Sequence, residues 1–293
     1  MIAILLGLVA SLGWGTANFY GGIASRRWPP IFITLYSYLC ELSILLGIAL
    51  LRGANFAIGD DIFWAMAAGA LAVLSIAWFF HLLAQGNMAL TAPLTALTYA
   101  IVPVLFGVVS IGWPKESQLA GIGIALLAIP LMAQSNTPSP IRNAWRQSLR
   151  RIGAPILAGI GFGFVLIFIN QVEASDLLPP LVIARSTGSP LLFLLLLLSM
   201  RQNRAQPTDL KQLLKAFRPA LAYALVIGVG DIIAYAAFIQ SARLGGITIA
   251  AVMSSLPPAV TVLMARFIDK EHPRPAQVAG LALSLVAIVL ISL

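Results

Sequence analysis

Apolar runs long enough to cross a bilayer follow one another along nearly the whole chain, and they restrict its fold more than any other feature. A hydrocarbon core of about 30 Å needs about 20 apolar residues in a helix. Ten such windows fit, at 2–24, 31–51, 62–84, 90–112, 117–134, 153–171, 179–200, 219–241, 246–267 and 275–293. Of the 293 residues 60% are hydrophobic and only 10% charged, with a mean hydropathy of +0.95. A soluble domain carries about 25% charged and about 45–50% apolar residues, so lipid must be the solvent here. The expected class is an all-α membrane protein. The first 22 residues lack a basic leader and stay apolar, which predicts a retained first span rather than a cleaved signal.

The formal charge of +8 does not point to nucleic acid, because the basic residues lie in short breaks between apolar runs. In a membrane protein such a pattern reports orientation. With the N-terminus outside, the cytoplasmic loops hold 14 of the 18 Lys and Arg, from Arg26 and Arg27 to Arg274. The opposite loops hold Arg52, Lys115 and Arg243, and Arg185 lies inside a span. The bias predicts both termini outside. Cys40 is the only cysteine and sits in an apolar run, so no intramolecular disulfide forms. It and the two histidines, His81 and His272, have no metal-ligand spacing.

The chain is written twice. Gln118-Leu119-Ala120-Gly121 opens one apolar run and Gln277-Val278-Ala279-Gly280 another, each after a Lys-Glu pair, Lys115-Glu116 and Lys270-Glu271. Pro29-Pro30 matches Pro179-Pro180 at an offset of 150, and Gln85 with Pro103 matches Gln240 with Pro258 at 155. The Gln-x-Ala-Gly pair is offset by 159. The expected division is a first five-helix repeat over 1–134, a cytoplasmic linker over 135–152 and a second repeat over 153–293. Five spans per unit is an odd number, so the second copy lies inverted, and such duplications place a substrate site between the halves.

Gly13-Trp14-Gly15-Thr16-Ala17-Asn18-Phe19 looks like a W-G-x-x-x-F opening. Ala89-Leu90 before Pro93, Pro103, Glu116 and Gln118-x-x-Gly121 follow in order. Pro257-Pro258, Glu271 and Gln277-x-x-Gly280 repeat the pattern more loosely. By these residues the chain resembles the drug/metabolite transporter superfamily, specifically its EamA-type members with ten spans. The resemblance implies carriage of small metabolites, often amino-acid export, by alternating access. Such members are usually pictured with cytoplasmic termini, the reverse of what the charge count predicts.

Three formal charges lie within spans: Glu41, Arg185 and Asp231. Burying each costs about 2.5–3.5 kcal/mol on insertion scales, so they are expected to be paired, hydrated or functional. None has a charged counterpart at the matching repeat position. Arg185 is expected to neutralise one carboxylate, leaving the other to exchange protons, or to bind a substrate carboxylate with its five-donor fork. A buried ion pair that only fixes register is the structural alternative. Trp14, Tyr20, Tyr36, Trp78, Tyr99 and Tyr235 are candidate cavity aromatics, with Asn18, Thr98, Asn170 and Ser254 as hydrogen-bonding groups and His81 as a possible relay. Trp28, Trp113 and Trp145 read as interface anchors. Pro93, Pro103, Pro130, Pro257 and Pro258 interrupt spans, and such breaks are tolerated beside cavities. Ala3, Gly7, Ser11 and Gly15 form a small-residue stripe on span 1, and Gly159 and Gly163 do so on span 6.

No Walker loop, zinc-protease, nucleophile-elbow or dinucleotide motif occurs, so no enzyme and no cofactor is expected. The expectation is a secondary transporter of the inner membrane. It would move a small polar metabolite, an amino acid or related carboxylate, in the export direction, with the solute gradient or protons as energy source. A carrier of sugars or phosphorylated solutes and a non-transporting scaffold are the alternatives.

Overall fold

The computed structural model describes residues 2–56, 59, 61–85, 88–110, 116–132, 141–172, 176, 178–202, 210–254, 256–270 and 274–292. Every regular element among them is a helix. In the first half these are α1 (Ile2–Arg27), α2 (Pro30–Arg52), α3 (Asp61–Ala84), α4 (Met88–Ser110) and α5 (Glu116–Met132). In the second they are α6 (Ile141–Asn170), α7 (Leu178–Gln202), α8 (Leu210–Ser254), α9 (Pro257–Phe267) and α10 (Pro275–Ser292). Among the described residues five stretches are both long and apolar enough to cross a membrane: α1, α2, α3, Leu178–Leu198 of α7 and Lys215–Phe238 of α8.

The packing repeats with the sequence. Helix α1 lies on α8 and α9, and its repeat mate α6 lies on α3 and α4. Helix α2 lies on its own mate α7, and α5 on its own mate α10. The α2–α7 pair is antiparallel. Glu41 meets Arg185, while Leu42, Leu45 and Ala49 further along α2 pack with Leu178, Leu181 and Val182 at the start of α7. A repeat mate running antiparallel to its counterpart is the geometry of an inverted duplication.

The small-residue stripes are packing surfaces. On α1, the Ala3 carbonyl accepts from Ser241 Oγ at 2.7 Å and the Ser11 hydroxyl accepts from the Leu256 N–H at 3.2 Å. The Gly15 carbonyl accepts from Thr261 Oγ1 at 3.1 Å. On α6, a Cβ at Gly159 would stand 2.6 Å from Thr98 Cβ, so only glycine lets α4 come this close. The hydroxyl–carbonyl bonds replace the hydrophobic driving force that lipid removes.

Helical turns run from Leu210 to Ser254, across the tight boundary expected after Arg243. A straight helix of 45 residues would be about 67 Å long. Yet Ser241 sits at Ala3 and Leu256 at Ser11, so the chain reverses between them and α9 runs parallel to α1. Pro257 and Pro258 open α9: Pro257 occupies its first position, where a missing N–H costs nothing. Helices α5 and α10, which carry the repeated Gln-x-Ala-Gly, close the seam between the halves by packing on each other.

One end of the bundle is closed by aromatic rings and an ion pair. Trp28 and Tyr20 meet Tyr223 edge-on, with centroids 5.6 and 6.2 Å away, and Tyr36 stacks on Phe217 at 4.3 Å. Arg26 at the end of α1 pairs with Asp269 after α9. Trp28 is thus part of a contact between the halves as well as lying near a helix end.

Candidate functional site

Glu41 lies mid-way along α2, three residues after Tyr38, and that spacing puts both side chains on one helical face. The face is pressed from two sides. A Cβ at Gly188 of α7 would lie 3.2 Å from the Tyr38 ring, and one at Gly228 of α8 would lie 3.2 Å from the Ser37 carbonyl. These close approaches bring Arg185 and Asp231 to the same point. Arg185 Nη2 lies 2.8 Å from Glu41 Oε1 and 2.6 Å from Asp231 Oδ2. Both are lengths of charge-assisted hydrogen bonds.

Arg185 and Glu41 are only 5% and 3% exposed, whereas the Asp231 side chain keeps 21% of its surface accessible. Asp231 is thus the more accessible of the two carboxylates. The guanidinium stands over the Tyr38 ring, 4.4 Å from its centroid, and donates through Nη1 to the Tyr38 hydroxyl at 3.3 Å. The Tyr235 ring lies 5.8 Å away. Arg185 Nε is buried with no hydrogen-bond partner among the described residues. Ser189, just before Pro190, returns its hydroxyl to the Arg185 carbonyl at 2.8 Å.

The outer oxygen of Asp231 is held from the other half. Trp14 Nε1 donates to Asp231 Oδ1 at 3.0 Å, and its ring packs edge-on against Tyr235 with centroids 5.3 Å apart. Glu41, Tyr38 and Trp14 come from the first half, and Arg185, Asp231 and Tyr235 from the second. With both acids ionised the cluster carries two negative charges against one positive.

Of the residues singled out in the sequence, Glu41, Arg185, Asp231, Trp14 and Tyr235 meet here. The expectation that Arg185 would leave one carboxylate free is corrected: one guanidinium nitrogen serves both. Tyr99 of α4 neighbours Tyr235, and Asn18 lies half-buried one turn beyond Trp14. Trp78 and His81 are not brought to the cluster. They stack on each other at 5.6 Å on an exposed strip of α3, with Trp78 Nε1 donating to the Ala154 carbonyl at 3.2 Å. Pro93 is buried in α4. The side chains of Pro103, Pro130, Trp145, Asn170 and Ser254, and residue Trp113 altogether, lie outside the described residues. Thr98 bonds its own helix, at the Leu94 carbonyl. Tyr20 and Tyr36 belong to the closed end. Tyr38 was not singled out, although a tyrosine three residues before an intramembrane Glu shares its face. No group of His, Cys, Asp and Glu suited to a metal occurs among the described residues.

The described residues are thus helical in every regular element, pack with repeat symmetry and hold a buried charge cluster between the halves. The model of the EamA-like transporter family matches residues 1–134 and 151–293, and the chain belongs to that family. Its members are transporters, not enzymes. Fourteen chains of solved structures match. One, described only as a crystal structure of a protein, is 18% identical with a TM-score of 0.64, covering 98% of this chain and 95% of its own. That likeness concerns the fold. No curated protein matches the chain.

Proposed function

We propose that the chain is a ten-span secondary carrier of the inner membrane whose halves, 1–134 and 153–293, alternate access to one site at the Glu41–Arg185–Asp231 cluster. The observation that carries this reading is that the buried cluster is assembled from both halves. A bound solute or proton that loosens Glu41–Arg185 or Trp14–Asp231 acts directly on the contact between them. The proposed solute is an amino acid or related carboxylate, moved outward. Its carboxylate suits the unpartnered Arg185 Nε, and an ammonium suits the accessible Asp231. Protons are the proposed coupling ion, because one proton on Glu41 or Asp231 brings the cluster to neutrality and removes the cost of a buried net charge. Charge bias favours termini outside, which puts the Arg26–Asp269 closure at the cytoplasmic end.

A phosphorylated solute would meet a net negative cluster, and a dry structural pair fits poorly with the accessible Asp231. Thermal unfolding of the purified protein with amino acids, sugars and phosphorylated metabolites tests the reading, since a ligand of the native state raises apparent stability. Stabilisation by amino acids that is lost in Asp231→Asn supports it. Stabilisation only by sugars or phosphates would replace it with a different solute class.

A further inference from the structure

We infer that Trp14 is a positioning residue that ties the state of Asp231 to the packing of α1 against α8 and α9, an assignment that rests on the cluster being the transport site. The sequence alone marks Trp14 as a candidate cavity aromatic. The geometry points elsewhere. The indole N–H is a donor without acceptor capacity, and it is directed at Asp231 Oδ1 at 3.0 Å. The opposite oxygen of the same carboxylate is on Arg185. Asp231 is therefore clamped between its own half and the other one, whereas Glu41 has no equivalent indole among the described residues.

The backbone around Trp14 is shaped for this contact. A Cβ at Gly13 would stand 2.6 Å from the Gly230 carbonyl, and one at Gly230 would stand 3.1 Å from the Gly13 carbonyl. Gly230 immediately precedes Asp231, so the reciprocal glycine contact sets the indole beside the carboxylate. Gly15 on the other flank would place a Cβ 3.0 Å from the Pro257 carbonyl and against Val260 at the start of α9. Trp14 is thus flanked by α1's closest approaches to α8 and to α9. A change in what Asp231 holds alters a bond at the point where the two halves are pressed together. No flexible linker intervenes.

The test is a double-mutant cycle without any solute: wild type, Trp14→Phe, Asp231→Asn and the double variant, unfolded thermally in detergent across pH 5 to 9. Phenylalanine keeps the ring contacts and loses the donor. The titratable and charged groups facing Asp231 are Arg185 from α7, Glu41 and Tyr38 from α2 and Tyr235 from α8 itself. All remain in every variant, and α10 offers none. The inference predicts that Trp14→Phe changes the pH dependence of unfolding when Asp231 is present and does not when it is combined with Asp231→Asn. Equal effects in both backgrounds would overturn it and leave Trp14 a packing residue. Should Trp14→Phe not survive purification, Trp14→Tyr, which keeps a ring donor with an ordinary pKa of about 10, above this pH range, serves instead: a retained pH response supports the inference and a lost one overturns it. If Asp231→Asn itself leaves the pH response of the wild type unchanged, the cluster reading fails, separately from the role of Trp14.

Discussion

Arg185 Nη2 sits between two carboxylates, 2.8 Å from Glu41 and 2.6 Å from Asp231, so one nitrogen bridges both carboxylates across the seam between the halves. Removing it strands buried Glu41 and partly buried Asp231. Breaking a buried pair from one side costs about 3–5 kcal/mol, and Arg185→Leu should destabilise the purified protein by that order in thermal or denaturant unfolding. Arg185→Lys retains the charge but not the fork that also reaches Tyr38. It should preserve expression while lowering solute flux by an order of magnitude or more in proteoliposomes. Unchanged flux in that variant would remove Arg185 from the site.

The Gly13–Gly230 contact separates crowding from helix propensity. Gly13→Ala forces a methyl against a backbone carbonyl, and overpacking costs about 1–3 kcal/mol. Gly47 of α2 has open space around its would-be Cβ. Gly47→Ala should stabilise by about 0.5–1 kcal/mol through helix propensity alone. The two variants should move the unfolding temperature in opposite directions.

How much of this was legible in the sequence depended on the solvent. The spans, the duplication and the three intramembrane charges stood out because charge in hydrocarbon is costly and a break in an apolar run is conspicuous. Which face of a span looks inward did not stand out, because in lipid both faces are apolar and the periodic signal fades. Hence Trp78 and His81 were grouped with Trp14 although they sit on an exposed strip of α3, and Tyr38 was passed over for Tyr36. Near Leu256 the signal is plainer, because Pro257 and Pro258 fix the first turn of α9.

At that turn the Leu256 N–H depends on the Ser11 hydroxyl of the other half. A buried donor left without its partner costs about 1–3 kcal/mol. Ser11→Ala should lower stability by that order, and hydrogen exchange should accelerate at the start of α9. Protection unchanged there would show that the bond does not hold the turn.

The Arg26–Asp269 pair should behave differently. Both side chains are partly exposed, at 26% and 22%, and such pairs contribute about 0–1 kcal/mol. Arg26→Gln should therefore leave the unfolding temperature within about a degree or two for a protein of this size. A cysteine pair at positions 26 and 269, with Cys40 replaced by Ser and the pair joined by a bifunctional thiol reagent, should stop solute exchange. Exchange that continues after cross-linking would mean that this end need not open.

A carrier driven through the Glu41–Arg185–Asp231 cluster couples solute flux to its carboxylates. Its most direct measurement is flux of a stabilising amino acid in proteoliposomes, with and without an imposed pH gradient, for wild type, Glu41→Gln and Asp231→Asn. Gradient-driven accumulation is expected in the wild type, with its loss in at least one of the two variants. Gradient-driven accumulation undiminished in both would contradict it.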